Sequence, residues 1–416
     1  MRVCVLAYSF YEVDTRILQY TKSLLERGDE VDVIALRRPE QSPFEVVGGA
    51  RVFRIQERTV NERGPMSYLW RTLRFFVHSF LVITKLHWQK RYDIAHVHSV
   101  PDFLVFSAAS LRLTGVPVIL DIHDILPEFY ASKFKVPQKS LMFRALVFVE
   151  LVSAKFASHV IIANDLWKER LLKRSVTPEK CSAFCNYPDS DRFYPRVRTR
   201  SDGKFQILYP GSLNWHQGLD VAIRAFARIK DEIPNAEFHI YGEGAAKPDL
   251  ITLASSLHLQ DRVIFHEWTP LDEVVQVMCN ADLAVVPKRA SSAFGTEAAS
   301  TKIMEFMSVG VPVIVSRTRI DEFYHNDSRV EFFESENEPA LASAMLRLSV
   351  DSNRRQELVR NAEKHAKQNS WAAKKVEYLA LVDRLAGRKA AAVTPPQSFP
   401  PVVDKSAAES NSPVHS

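Results

Sequence analysis

The chain has 416 residues and ordinary globular composition, 46% hydrophobic and 25% charged. At roughly 150 residues per domain this predicts two domains, with cores large enough to need no disulfide staples. A net charge of +5 is too slight to argue for nucleic acid, and the four cysteines (Cys4, Cys181, Cys185, Cys279) lack zinc-knuckle spacing.

The N-terminus, MRVCVLAYSF, runs straight into a strand pattern and lacks the apolar core and cleavage site of a signal peptide. The longest apolar stretch, Phe75 to Ile83, is interrupted by His78 and Ser79 and falls far short of the ~20 residues a spanning helix needs. The expectation is a cytoplasmic protein, soluble or peripheral at the inner face of the cell membrane. VCVLAY (3–8) reads as a parallel strand buried on both faces. Asp14 to Gly28 reads as a helix, with Ile17, Tyr20, Leu24 and Leu25 at helical spacing and Gly28 as its stop. Strand patterns follow at 31–36, 50–55, 93–99, 116–123 and 159–164. Helical patterns lie at 65–90, 101–113, 137–156 and 165–174. Strands alternating with helices predict a parallel sheet covered on both faces.

Residues 186–204 are polar, carry Pro, Asp, Ser and Gly, and read as a linker. A second alternating series follows, with strands at 204–210, 236–242, 262–267, 282–287, 311–316 and 329–334. Helices are expected at 218–233 and 299–309. From Glu338 the pattern is helical, and Ser370 to Ala386 reads as a last helix with Val376, Leu379, Val382 and Leu385 as its apolar side. The expected organisation is two Rossmann-like domains, 1–185 and 205–369, joined by 186–204. Helix 370–386 and a disordered, Ala/Pro/Ser-rich tail at 387–416 follow. Two such α/β sheets leave a cleft between them, and ligands bind beyond the carboxyl ends of their strands.

The strongest chemical signal is TEAASTKIMEFMSVGVPVIVS (296–316). Glu297 and Glu305 flank the start of a helix that stops at Gly310 and is followed by a strand. A helix start offers free amides and a positive dipole end, suited to a diphosphate. Glu297, ahead of it, can accept hydrogen bonds from sugar hydroxyls; Glu305, further along, can hold ribose hydroxyls. The alternative is a solvated helix flank.

This segment resembles the E-x7-E signature of the retaining GT-B glycosyltransferases of family four (group 1). The resemblance covers about residues 1–386. It implies two facing Rossmann-like domains, with a first, acceptor domain and a second domain that binds the nucleotide-sugar donor. It also implies that Glu297 contacts the donor sugar and Glu305 the ribose, that Ala299, Ser300 and Thr301 supply amides to the diphosphate, and that Lys302 lies nearby. NYPDSDRFYP (186–195) resembles the crossover segment through Asn186, Asp189, Arg192, Phe193 and Pro195, with Tyr187 in place of the usual Gly. Gly211 stands where the family places a phosphate loop, Gly242 at the turn beside the base, and Glu267 after a strand in the same region. The helix beginning at Ser370 and Trp371 resembles one that returns to the first domain.

In the first half, Asp14 and Arg16 stand at the helix start in place of the customary glycine pair, and are assigned to the acceptor side. His123, in DIHDILPE (121–128), is similar to a family histidine that approaches the donor sugar; the alternative is a structural histidine. Asp124 and Glu128 follow on the acceptor side. HVHS (96–99) reads as strand-end packing. A metal site from His96, His98 and His123 is not favoured, because the family uses protein cations and dipoles. No metal or cofactor is expected, only the nucleotide-sugar as co-substrate.

The family usually clamps the diphosphate with an Arg and a Lys where this chain has Ser212 and Gln217. His216, Lys288, Arg289 and Lys302 are the candidate replacements, and Lys302 with the helix dipole is preferred. The resemblance implies transfer of a hexose, with retention, to a glycan or lipid-linked acceptor in surface or exopolysaccharide biosynthesis. Rival readings are a sugar-nucleotide 2-epimerase of the same architecture and a non-catalytic glycosyltransferase-like subunit. A dinucleotide dehydrogenase is disfavoured, since no G-x-G-x-x-G follows the first strand.

Segment 65–90 places Leu69, Leu73, Phe76, Phe80 and Ile83 on one side. Arg63, Arg71, Arg74, Lys85, Lys90 and Arg91 accompany it without an acid. FKVPQKSLMFRALVFVE (134–150) is a second such patch. Two readings are open: a helix lying on an anionic membrane surface, or a core-facing helix with a solvated basic face.

Overall fold

The computed structural model describes residues 1–58, 65–134, 137 and 139–388. The expected tail from 389 onward and Arg63 lie outside the described residues. The first sheet has eight strands: β1 (Arg2–Ala7), β2 (Glu30–Arg37), β3 (Phe44–Val47), β4 (Ala50–Glu57), β5 (Ile94–His98), β6 (Val118–Ile122), β7 (His159–Ile162) and β8 (Cys181–Ala183). Their order is β3-β4-β2-β1-β5-β6-β7-β8. All neighbours are parallel except β3 and β4, which form an antiparallel hairpin at one edge. The central strands β1, β5, β6 and β7 are buried along their whole length, and their sequences are mainly apolar, interrupted by His96, His98, Asp121 and His159.

The second sheet contains β9 (Phe205–Pro210), β10 (Ala236–Tyr241), β11 (Val263–His266), β12 (Leu283–Val286), β13 (Val313–Ser316) and β14 (Glu331–Phe333). It is wholly parallel, in the order β11-β10-β9-β12-β13-β14. The strand order reverses between β1 and β5 in one sheet and between β9 and β12 in the other. Ligand crevices in open α/β sheets form at such reversals, beyond the strands' carboxyl ends. The topology therefore directs attention to the residues just after β1, β5 and β6, and just after β9 and β12.

Several helices differ from the sequence pattern. Residues 102–108 wind as a 3-10 turn before a short helix at Ala109–Leu113. A separate helix, Leu126–Phe134, precedes one at Leu141–Phe156 that is N-capped by Ser140. The helix Pro65–Gln89 buries Thr72, Phe75, Ser79, Ile83 and His87, not the face containing Leu69 and Leu73, which are exposed. The chain returns to the first domain in the helix Trp371–Leu385. Its inward side is Trp371, Tyr378, Leu381 and Val382, packed with Val3, Val5, Tyr20 and Leu24; Val376 faces outward. Trp371 Nε1 donates to Ser23 Oγ at 2.9 Å, and the Tyr378 hydroxyl lies 3.0 Å from His96 Nδ1. This helix ties the end of the chain to the first sheet. Trp371→Ala removes both the ring and its hydrogen bond and is expected to cost about 3–5 kcal/mol of unfolding free energy in a urea titration; a loss below about 1 kcal/mol contradicts this packing.

Candidate active site

The helix Thr301–Val309 begins in the space between the two sheets. Gly310, in the left-handed conformation, terminates it, and its buried face is Ile303, Phe306, Met307 and Val309. Ser300 occupies the N-cap position, yet its side chain caps no amide, and Ser300 Oγ has no partner among the described residues. The first amides of this helix are thus left for another acceptor.

Two cavities reach this helix start, and a third shares His123 and Asp124 with the first of them. One, of about 230 Å³, is lined by His123, Asp124, Asn164 and Ala298 to Thr301. A second, of about 470 Å³, shares Thr301 with the first and adds Glu305, Asn186, Tyr187 and Arg16. A third, of about 260 Å³, lies in the first domain and is lined by Ser9, Asp14, Arg58, His98, Ser99, His123 and Asp124. His123 and Asp124, just after β6, stand between the first-domain cavity and the helix start. Thr301 stands between the helix start and Glu305. The three spaces therefore line up from the first-domain strand ends to the second acid of the E-x7-E pair.

Each acid has a distinct setting. Glu297 ends a short helix, Ala293–Glu297, that the sequence pattern did not show. Its Oε1 accepts from Arg170 Nη2 of the first domain and lies 3.7 Å from Arg319 Nη1. Glu305 is half-buried, and burial raises its pKa against the opposing pull of Lys302.

The cations separate by their partners. Lys288 Nζ pairs with Asp321 Oδ2 at 2.8 Å and donates to the Ala298 carbonyl at 2.9 Å. Arg289 is bound by Asp220 and Glu336, each at 2.6 Å, and stacks 3.9 Å from the Trp215 ring centre. Both candidates therefore hold the fold. Lys302 forms no ion pair within 4 Å among the described residues, and burial lowers its pKa. It lies against the turn after β9: a Cβ built on Gly211 would come 2.1 Å from Lys302 Cε. One on Gly242 would meet the Gly211 carbonyl at 2.0 Å, so the turns after β9 and β10 touch only because residue 242 is glycine. His216 is kept from protonation by burial and by Lys302 and Lys288. It contacts the buried Gln217 at 3.1 Å. Ser212 and Glu267 are exposed, and neither lines the three cavities.

On the acceptor side, two of the four expected residues are engaged in ion pairs within the first domain. Arg16 is buried and binds Asp121 through Nε and Nη2, each at 2.8 Å, while Nη1 donates to the Phe184 carbonyl at 2.7 Å. It braces β6 against the crossover segment. Glu128 is held by Arg174 at 2.6 and 3.0 Å and by Arg170 at 3.3 Å, so its carboxylate is engaged in an ion-pair chain. Asp14 N-caps the first helix through the Ile17 amide and also lines the first-domain cavity. Asp124 stays at that cavity, with its pKa raised by burial.

His123 Nε2 lies 3.0 Å from His98 Nδ1. Burial lowers its pKa, against the opposing effect of Asp121. His96, His98 and Asp121 offer ligand atoms within 4.8 Å of one another. The donor set suits a metal poorly: Arg16 covers both Asp121 oxygens and places a fixed positive charge beside them. That same guanidinium, opposing the effect of burial, holds Asp121 well below the usual carboxylate range.

Asn164 and Arg170 are functional candidates without a local sequence signal. Asn164 N-caps the helix Asp165–Leu172, and Arg170 looks like any basic residue on its solvent side. Only the docking of that helix on the second domain brings them to Glu297.

Two facing doubly wound sheets with a helix start and two acids in the gap define a GT-B glycosyltransferase fold. Residues 190–365 match the family described as glycosyl transferases group 1, and residues 13–186 match the glycosyl transferase 4-like domain. The chain belongs to the group 1 glycosyltransferases. A relative, the putative colanic acid biosynthesis glycosyltransferase WcaL of Escherichia coli K12, is 30% identical over 151 residues, 36% of this chain and 37% of that protein. The sucrose-phosphate synthase of Thermosynechococcus elongatus superposes with a TM-score of 0.75 at 18% identity, covering 93% of this chain and 99% of that one. Alr3699/HepE of Anabaena, in complex with UDP and glucose, superposes at 0.67 with 16% identity, covering 91% and 99%.

If Lys302 is the diphosphate cation, Lys302→Met should weaken binding of a nucleoside diphosphate by calorimetry about tenfold or more, the usual worth of a hydrogen bond to a charged group. Unchanged affinity assigns the phosphate charge elsewhere.

Proposed function

We propose that the chain transfers a hexose from a nucleotide-sugar to a glycan or lipid-linked acceptor, with retention at the anomeric carbon, in polysaccharide biosynthesis. The observation that carries this reading is the placement of Glu297 and Glu305 about an uncapped helix start in the interdomain gap. The diphosphate would sit on the amides of Ala299, Ser300 and Thr301, with Lys302 beside it. Glu297 takes the sugar hydroxyls and Glu305 the ribose. His123 and Asp124 face the acceptor, which enters from the first-domain cavity. The UDP and glucose in the HepE complex support a donor of this chemical class.

The reaction follows from that arrangement. The anomeric carbon–oxygen bond to the diphosphate breaks as the acceptor hydroxyl oxygen bonds to the same face of that carbon. The acceptor's proton passes to the departing phosphate oxygen. Lys302 and the helix dipole stabilise the charge that develops there, and the remaining contacts hold the two substrates in register. Protein cations supply the positive charge, so the proposal requires no metal.

The acceptor side has a second feature. No described helix is long and apolar enough to cross a membrane. The helix Pro65–Gln89 nevertheless turns Trp70, Leu73, Val77, Leu81 and Trp88 outward, with Trp70 71% and Trp88 74% exposed. It has no acidic residue and presents Arg74 and Lys85 to solvent. Leu141, Met142 and Phe148 of the helix Leu141–Phe156 are also exposed, and both helices pack on the 3-10 turn at 102–108. Tyr68, near the start of the first helix, lines the first-domain cavity. An apolar stripe edged by basic residues suits an anionic bilayer, from which a lipid-linked acceptor would reach that cavity.

Thermal stabilisation by a panel of UDP-, GDP- and ADP-sugars selects the donor. With that donor, Glu305→Ala is expected to lower turnover about 100-fold or more while the protein stays folded, in line with loss of a key electrostatic or positioning contact; a near-normal rate refutes its role. Co-sedimentation with vesicles should increase with anionic lipid and fall about tenfold in Trp70→Ser/Trp88→Ser, as loss of two interfacial anchors predicts. Binding that ignores anionic lipid contradicts the membrane reading.

A further inference from the structure

The donor-sugar acid is held by a residue of the opposite domain. Arg170 donates Nη2 to Glu297 Oε1 and Nη1 to Glu128 Oε1. Behind it, Glu128 is gripped by Arg174, and Arg174 Nε donates to Glu150 Oε1 at 2.8 Å. Glu150 is buried and also accepts from Ser175 Oγ. An unbroken chain of charged hydrogen bonds therefore runs from the first-domain interior to an acid of the second domain.

The same helix is docked by further contacts, among them a hydrogen bond from the Tyr324 hydroxyl to Asp165 Oδ2 at 2.9 Å. Asn164 Nδ2 donates to the Glu297 carbonyl at 3.1 Å. The Asp165 amide donates to the Tyr324 hydroxyl at 2.8 Å. Leu166 packs with Ile320 and Tyr324. Among the described residues Glu297 has one other cation within 4 Å, Arg319, at 3.7 Å and 58% exposed. A pair so long and so solvated fixes little.

We propose that Arg170 is a positioning residue. It sets the Glu297 carboxylate for the donor sugar, and it does so only when the two domains are docked. This rests on the transfer reading above and extends it. Both cations address Oε1, which leaves Oε2 to accept from sugar hydroxyls. One guanidinium shared by two carboxylates is anchored from the first-domain side by Arg174, so Glu297 is oriented by a rigid partner and not by its own rotamer preference. The nucleotide half of the donor rests on Lys302, Glu305 and the helix amides, all in the second domain. Arg170 therefore acts on the sugar and on transfer while nucleotide binding stays independent of it.

The test compares wild type, Arg170→Met, Arg170→Lys, Glu297→Gln and the Arg170→Met/Glu297→Gln double variant. Calorimetry uses UDP, GDP and ADP; kinetics use the nucleotide-sugar that supports transfer. Arg170→Met is expected to keep nucleoside diphosphate affinity within about twofold while kcat/KM for the nucleotide-sugar falls about 30-fold, with Arg170→Lys recovering part of the loss. In the Glu297→Gln background the same substitution should cost less than about threefold, because the two residues act as one unit. Wild-type kcat/KM in a folded Arg170→Met protein overturns the proposal. An equal loss in both backgrounds, or a parallel fall in nucleotide affinity, does so too, since Arg170 would then be a general strut. A wild-type chain that transfers from no nucleotide-sugar overturns the transfer reading itself, and this one with it.

Discussion

The amides at the start of the helix Thr301–Val309 have no preceding turn to bond to, and Ser300 does not cap them. That partial positive charge is the feature around which the cleft is arranged. The second sheet presents it because β12 lies beside β9 and β13 beside β12, past the reversal in strand order, and the connection after β12 must run back over the strand ends. Lys302 adds a full charge one position into the helix and packs on a turn that only glycine allows. Glu297 and Glu305 bracket the same point. The first domain brings His123 and Asp124 to it from the opposite side.

Partner count, not residue type, decides which cation serves chemistry. Lys288, Arg289 and Lys302 all lie near the strand ends. Lys288 and Arg289 each meet buried or half-buried carboxylates and close the folds behind β12. Removing Lys288 would strand the buried Asp321, which costs more than the pair contributes. Lys302 has no such obligation among the described residues, which is why we assign the diphosphate to it. Arg16 and Glu128 likewise each lie within 3 Å of an oppositely charged partner and brace the first domain.

Much of this architecture is legible in the residue pattern. Strands buried on both faces leave continuous apolar runs, and the helix after Ser300 announces itself through Gly310 and the strand that follows. The β3–β4 hairpin is less legible because the outer strand is exposed and has no alternating face. The helix Pro65–Gln89 is apolar on two sides, so periodicity alone could not say which side is core. The ion-pair chain through Arg170 is invisible in principle. It joins residues more than a hundred positions apart through the docking of one domain on another, and no local rule encodes it.

The central claim is that a diphosphate binds at the start of the helix Thr301–Val309. A crystal structure with a non-transferable 2-fluoro nucleotide-sugar tests it most directly. On this claim, phosphate oxygens are expected on the Ser300 and Thr301 amides and on Lys302 Nζ, with the ribose at Glu305 and the sugar at Glu297. A nucleotide bound with its phosphates away from that helix start, or with Lys302 turned from them, contradicts it.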